Sequence, residues 1–266
     1  MARKDRLGQE PRRIMSGDVL KVLGAIMTVQ ASLGRLLAFQ TVPDLGALGQ
    51  AEALVQAQSL LEGGSGTIVA VAYVLQMAAN FAWPVFAFLA VQGFLYTSNL
   101  KFYLLRLSIF ALVCEIPYDL VTSGLWFNWG DQNVLFTILF GLLALTLSEE
   151  LSRRSNSYFP RFAMLIGGVL WVTLLKMEYN FFIIPAMFAF FYLEERELLR
   201  DLLVLLLTAL MIPSMGLYTL AVTGPTAVAL LALHWYNDVT PRISKWVWYG
   251  LYPLHLILLA VLGAYM

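Results

Sequence analysis

Hydrophobic positions in this chain fall into long runs separated by short polar or charged turns. The runs lie at roughly Val19–Phe39, Thr67–Tyr96, Phe102–Leu120, Val134–Leu147, Phe162–Leu175, Tyr179–Leu193, Leu198–Ile212, Met215–Leu233 and Trp246–Ala264. Read as membrane-crossing helices they predict an all-α, polytopic transmembrane bundle of about nine spans. Several runs are shorter than the roughly 20 residues that cross a bilayer upright, so span ends can shift and the stretch around Pro213 to Gly216 is a candidate re-entrant hairpin. Residues 1–18 form a basic, polar N-terminal segment and 19–266 a single transmembrane domain. The first run is longer than the 7–15 residues of a cleavable signal core and no small-x-small site follows it, which favours a retained span. Residues 41–66 hold acidic residues, no lysine or arginine and a glycine-rich end, the pattern of an extracytoplasmic loop.

The basic residues set the orientation. Alternate turns carry Lys101 and Arg106, then Arg153, Arg154 and Arg161, then Arg196 and Arg200, then Arg242 and Lys245. The intervening turns carry Asp44, Glu52, Glu62, Asp119, Asp131 and Glu178, with Lys176 as the exception. This alternation predicts a cytoplasmic N-terminus, an outer C-terminus and an odd span count. Trp126, Trp129, Trp246, Trp248 and Tyr249 fit interfacial belts.

Composition agrees: 60% of residues are hydrophobic, 13% are charged and mean hydropathy is +0.74. Charged residues make up about 25% of a soluble domain. The formal net charge is zero and no basic face for nucleic acid is visible. The single cysteine, Cys114, excludes an internal disulfide and reads as a small buried hydrophobe. Two histidines and scattered carboxylates show no metal-ligand spacing, and no phosphate-binding glycine loop or serine elbow is present. The charged run at 194–201 reads as a solvated cytoplasmic turn, and His234, beside Trp235 and Tyr236, as an interfacial residue.

Polar groups inside apolar spans are costly and mark interior cavities. Here they are Gln30, Arg35, Gln76, Asn80, Gln92, Glu115 and His255, with Asn133, Thr137, Glu178 and Tyr179 near the outer span ends. His255 lies about ten residues into the last run, near mid-membrane, where it is either a general base or a histidine hydrogen-bonded to a neighbouring helix. Glu115 precedes Pro117, which is expected to kink its helix and open a wet cavity; the alternative places the carboxylate at the outer interface. Arg35 and Arg106 are its candidate counter-ions.

The segments DVLKVLGAIMTV (18–29), FAWPVFAFLAVQGFLYTSN (81–99), YLLRLSIFALVCEIPYDL (103–120), QNVLFTILFGLLAL (132–145), EYNFFIIPAMF (178–188) and LYPLHLILL (251–259) together resemble the TraX family of integral membrane proteins. Its namesake acetylates the N-terminus of conjugative pilin, and the family is similar to multi-span acyltransferases that draw acetyl groups from cytoplasmic acetyl-CoA. The resemblance implies a bacterial inner-membrane protein, with acetyl-CoA as acyl donor, membrane lipid around it and a pilin-like or other membrane protein as partner. It also implies an Asp-His pair in the first span where this chain has Gln30 and Ala31, a glutamate where Gln92 stands and an arginine near Asn80. Acyl transfer needs a base for the nucleophile and donors for the developing oxyanion. With the first-span histidine replaced, His255 and Glu115 are the candidate catalytic groups, and Gln30, Gln92, Asn133, Thr137, Glu178 and Tyr179 the candidate binding groups. Two further readings stand beside acetyl transfer: a non-catalytic relative serving as a scaffold or accessory subunit of an envelope complex, and a transporter or lipid-handling protein.

Overall fold

The computed structural model describes residues 15–41, 66–210, 217–237 and 242–265. Among these the regular structure is α-helical, in ten helices, with two isolated β-bridges between connections. They are α1 (Gly17–Thr41), α2 (Gly66–Met77), α3 (Ala79–Tyr96), α4 (Leu100–Ser123), α5 (Val134–Ser155), α6 (Phe159–Leu174), α7 (Asn180–Tyr192), α8 (Glu197–Leu210), α9 (Leu217–His234) and α10 (Lys245–Tyr265). Four segments are long and apolar enough to cross a membrane: Gly17–Gln40, Thr67–Tyr96, Val134–Ser155 and Lys245–Tyr265. The apolar run over 67–96 is two helices, broken at Ala78 between α2 and α3. Most of the 41–66 loop, the N-terminal segment before Met15 and the suggested hairpin at Pro213–Gly216 lie outside the described residues.

Capping explains most of the helix limits. Asn99 accepts a hydrogen bond from the Phe102 amide at 3.2 Å and starts α4, and Gly124, at φ 69°, ends it in the left-handed region that glycine enters without penalty. Asn133 starts α5 by accepting from the Leu135 amide at 3.0 Å. α4 continues through Pro117 to Ser123.

Pairings between loops and caps sort the helix ends. Met15 bridges to the Trp235–Asn237 backbone, and Asp18 accepts from the Arg242 and Ile243 amides, so α1 starts where α9 ends and α10 begins. At the opposite end the Gln132 and Glu178 backbones are bonded to one another, Gly124 packs on Phe39, and Gly263 packs on Leu36. Arg242 thus lies at the first end and Glu178 at the second.

Two packed regions hold the bundle. The larger surrounds α7, where Ile183, Ile184, Met187 and Phe190 are fully buried against Val85, Leu142 and Leu145. A helix apolar on every side belongs in such an interior. The smaller joins α1, α4 and α10 through Leu36, Cys114, Tyr118, Val121, Leu256 and Leu259. In lipid, association of this kind depends on close packing and hydrogen bonds. Gly34 illustrates it: a Cβ there would lie 2.5 Å from the Ala72 carbonyl oxygen, and Gln76 Nε2 donates to the Gly34 carbonyl at 3.3 Å. Large apolar side chains point outward on several helices, among them Leu112, Ile166, Leu206 and Leu258. They supply the lipid-facing surface of a membrane protein.

Candidate functional site

The smaller packed region carries the densest set of titratable groups, and each is placed by a helix end or a loop. Arg35 projects from the C-terminal half of α1. One terminal nitrogen donates to the Tyr118 hydroxyl at 3.0 Å and the other donates to Glu178. The Tyr118 hydroxyl donates in turn to Asp131 at 2.8 Å, and the guanidinium also lies over the Tyr118 ring. Glu178 is held by the left-handed turn around Lys176 and Tyr179, at φ 52° and 54°, whose backbone is pinned to Gln132. Thr137, fully buried on α5, donates to the Glu178 carbonyl oxygen at 2.6 Å.

One turn deeper, Glu115 accepts from the side chain of Asn133 and from its amide. Asn133 Nδ2 also donates to the Ala111 carbonyl at 2.9 Å, which locks the start of α5 against α4. Glu115 therefore finds its partner in a neutral amide, and the counter-ion expected from Arg35 is given to Glu178 instead. Arg106 is not its partner either: it lies near the opposite end of α4, its Nε buried without a hydrogen bond. Asp119, buried, uses one oxygen to accept from the Asn128 amide at 2.8 Å; its other oxygen and Glu115 Oε1 have no hydrogen-bond partner.

His255 is 7% exposed on α10. Its Nδ1 is 3.3 Å from the Leu251 carbonyl oxygen, its Nε2 is 3.3 Å from Ser32 Oγ on α1, and its ring meets that of Tyr252 edge-on at 5.2 Å. Tyr252, whose ring the imidazole meets, lies within electrostatic reach of Arg35, Glu178, Glu115 and Cys114.

The carboxyls of the α4–α5 and α6–α7 connections have altered acidity. Burial pushes the Asp131 and Glu178 carboxyls above the usual carboxylate range, while Arg35 pulls both back. One guanidinium faces these two acids with Glu115 and Asp119 close behind. In a medium of low dielectric such an excess of carboxyl over cation favours the protonated form of the acids.

The sequence-derived residues thus divide. Glu115, Asn133, Thr137, Glu178, Tyr179 and His255 converge. Gln30 is exposed on α1, beside the outward stripe of Val22, Ile26 and Val29, whereas Ala31 is buried. Gln92 is buried with Oε1 unpartnered, but it lies toward the basic end, next to the close packing of Gly93 on Tyr103. Gln76 and Asn80 serve as helix-to-helix links, the latter accepting at its carbonyl from Thr226. Tyr118, Asp131, Ser32 and Tyr252 were not singled out by the sequence.

A second polar cluster occupies the basic end. His234 contacts Glu197 at 2.8 Å and Asp201 at 2.6 Å. Arg200 donates to Asp201 at 2.7 Å and lies over the Phe88 and Phe190 rings. Arg200 and Asp201 are buried. The run at 194–201 is therefore not a solvated turn throughout, and His234 is not merely interfacial. The physical reason is that α8 begins at Glu197 and packs its polar side on α9, turning charged residues inward.

No curated protein and no solved structure matches the chain. A family model described as TraX protein matches residues 17–263, nearly its whole length, and the chain belongs to the TraX family.

Proposed function

We propose that this protein is a membrane acyltransferase, moving an acetyl group from cytoplasmic acetyl-CoA to a pilin-like peptide amine or another cell-envelope acceptor. The observation that carries the reading is the position of His255. It is a buried imidazole at the junction of α1 and α10, with one nitrogen directed at a hydroxyl and its ring against Tyr252, which lies within electrostatic reach of Glu115 and Glu178. A neutral imidazole in that setting can take a proton from an attacking amine or hydroxyl. Arg35, held by Tyr118 and Glu178, supplies positive potential for a developing oxyanion.

The basic end fits the approach of coenzyme A, whose phosphates require cations. Arg106 Nε and Gln92 Oε1, buried and without partners, lie on that side of the bundle. In this reading the chain crosses a bacterial inner membrane nine times, α2 and α3 forming one crossing, with Lys101, Arg153, Arg154 and Arg242 on the cytoplasmic side.

One observation favours a second reading, a relative that keeps the fold as an accessory subunit. The buried Ala31 occupies the place where the resemblance implies a histidine, and Glu178 and Asn133 are engaged with Arg35 and Glu115 inside the protein.

The test uses inverted membrane vesicles containing the protein and acetyl-CoA labelled in the acetyl group. Transfer of label to a membrane or peptide acceptor, present with the wild type and absent with His255→Ala, is the expected result. Equal labelling with empty vesicles removes the acyltransferase reading and leaves the accessory one.

A further inference from the structure

We infer that Ser32 is a nucleophile that carries the acyl group between donor and acceptor, with His255 as its base. The inference rests on the acyltransferase reading for the identity of the donor, and on geometry of its own for the pair. Ser32 Oγ on α1 and His255 Nε2 on α10 are 3.3 Å apart, across 223 positions of sequence. The tautomer follows from the other ring nitrogen: the Leu251 carbonyl oxygen, 3.3 Å from Nδ1, can only accept, so Nδ1 carries the proton and Nε2 presents a lone pair to the Ser32 hydroxyl. This is the relation of nucleophile to base that activates a hydroxyl, and such contacts shorten when substrate binds.

The surroundings fit. His255 is buried whereas Ser32 is only half-buried, so the base is the more shielded of the two. Ser32 lies one helical turn from Arg35, on the same side of α1, so the guanidinium adds positive potential near an oxyanion formed at Ser32. A serine with a purely structural role in a helix ordinarily returns its hydroxyl to a carbonyl one turn back, as Thr28 does to Gly24 at 2.9 Å. Ser32 instead directs its hydroxyl across to another helix.

The two steps balance. In the first, Nε2 takes the Ser32 hydroxyl proton as Oγ attacks the thioester carbonyl carbon; the carbon–sulfur bond breaks, the coenzyme A thiolate leaves and collects that proton, and an ester remains on Ser32. In the second, an acceptor amine attacks the ester carbonyl and gives its proton to Nε2; the carbon–oxygen bond breaks and Oγ regains the proton.

The experiment treats the detergent-purified full chain with a fluorophosphonate probe, which labels activated serines without coenzyme A, and separately with labelled acetyl-CoA followed by peptide mass analysis. Wild type, Ser32→Ala, Ser32→Cys and His255→Ala are compared. The expected results are probe adduct and acetyl ester on the peptide bearing Ser32, both lost in Ser32→Ala and reduced at least tenfold in His255→Ala. In Ser32→Cys the acetyl group should be held as a thioester that neutral hydroxylamine releases. Probe labelling of Ser32 without any acetylation by acetyl-CoA supports the pair and removes acetyl-CoA as donor. Acetyl transfer that persists in Ser32→Ala overturns the inference and leaves the acyltransferase reading standing. Absence of both probe adduct and acetyl ester from a folded wild type overturns the inference.

Discussion

The two ends of the bundle solve the same problem with different balances of charge. At the basic end, His234 sits between Glu197 and Asp201, and Arg200 adds a guanidinium, so two carboxyls meet an imidazole and a guanidinium. At the acidic end a single guanidinium, Arg35, faces Glu178 and Asp131, with Glu115 and Asp119 behind them. The first arrangement can neutralise itself and acts as a strut joining α8 to α9. The second is short of positive charge, and Tyr252, which lies against the imidazole of His255, is within its electrostatic reach. A site that must accept and return protons needs that second kind of balance.

Removing Arg35 breaks the comparison most severely. Arg35→Met leaves Glu178 and Asp131 facing each other without a cation, and loss of one partner of a buried pair costs about 3 kcal/mol or more. Denaturant titration in detergent should show that loss. A change below about 1 kcal/mol would mean the cluster is solvated and exposed pairs set its worth.

Asn133→Ala comes next. It takes the α5 cap and the donor of Glu115 together, at about 2 kcal/mol. Asn133→Asp keeps the cap but sets a second carboxyl against Glu115, so it should be at least as destabilising as the alanine variant, measured by the same titration.

Asp131→Asn sharpens the comparison through pH. Folding raises the Asp131 pKa above its ordinary 3.8. The contribution of the protonated acid to stability is complete below that ordinary value and is lost as pH rises through the folded one. The thermal midpoint of the wild type relative to Asp131→Asn should therefore fall as pH is raised from about 4 to 8. A difference that rises over that range would show that Arg35 outweighs burial.

His234→Ala should have the smallest effect. The imidazole is 34% exposed, so its two contacts contribute about 1 kcal/mol or less, and added salt should shrink the difference from the wild type. Melting curves at low and high salt check this.

What the sequence reveals about this site follows from cost. Glu115, Asn133, Thr137, Glu178 and His255 are visible in advance because polar groups within or beside apolar runs demand partners, and those residues do converge. Their pairing is not visible, since Arg35 and Glu178 are 143 positions apart and nothing local in either sequence segment favours one counter-ion over another. Gln30 is misplaced for a related reason. α1 is apolar on most sides, so its pattern does not say which face turns inward, and the exposed stripe of Val19, Val22, Ile26 and Val29 carries Gln30 outward with it. Ser32 escapes notice because a serine within a span usually satisfies itself on its own helix. The run at 194–201 misleads in the opposite sense: its charges look solvated, but Arg200 stacks over two buried phenylalanines.

The most direct test of the central claim, that the His255 site performs acyl transfer, is release of free coenzyme A from acetyl-CoA by the purified protein in nanodiscs, wild type against His255→Ala. The account predicts steady release with the wild type and at least a hundredfold loss in the variant, in keeping with removal of a general base. Equal release from both proteins, or none from a folded wild type supplied with acceptor peptide, would contradict it.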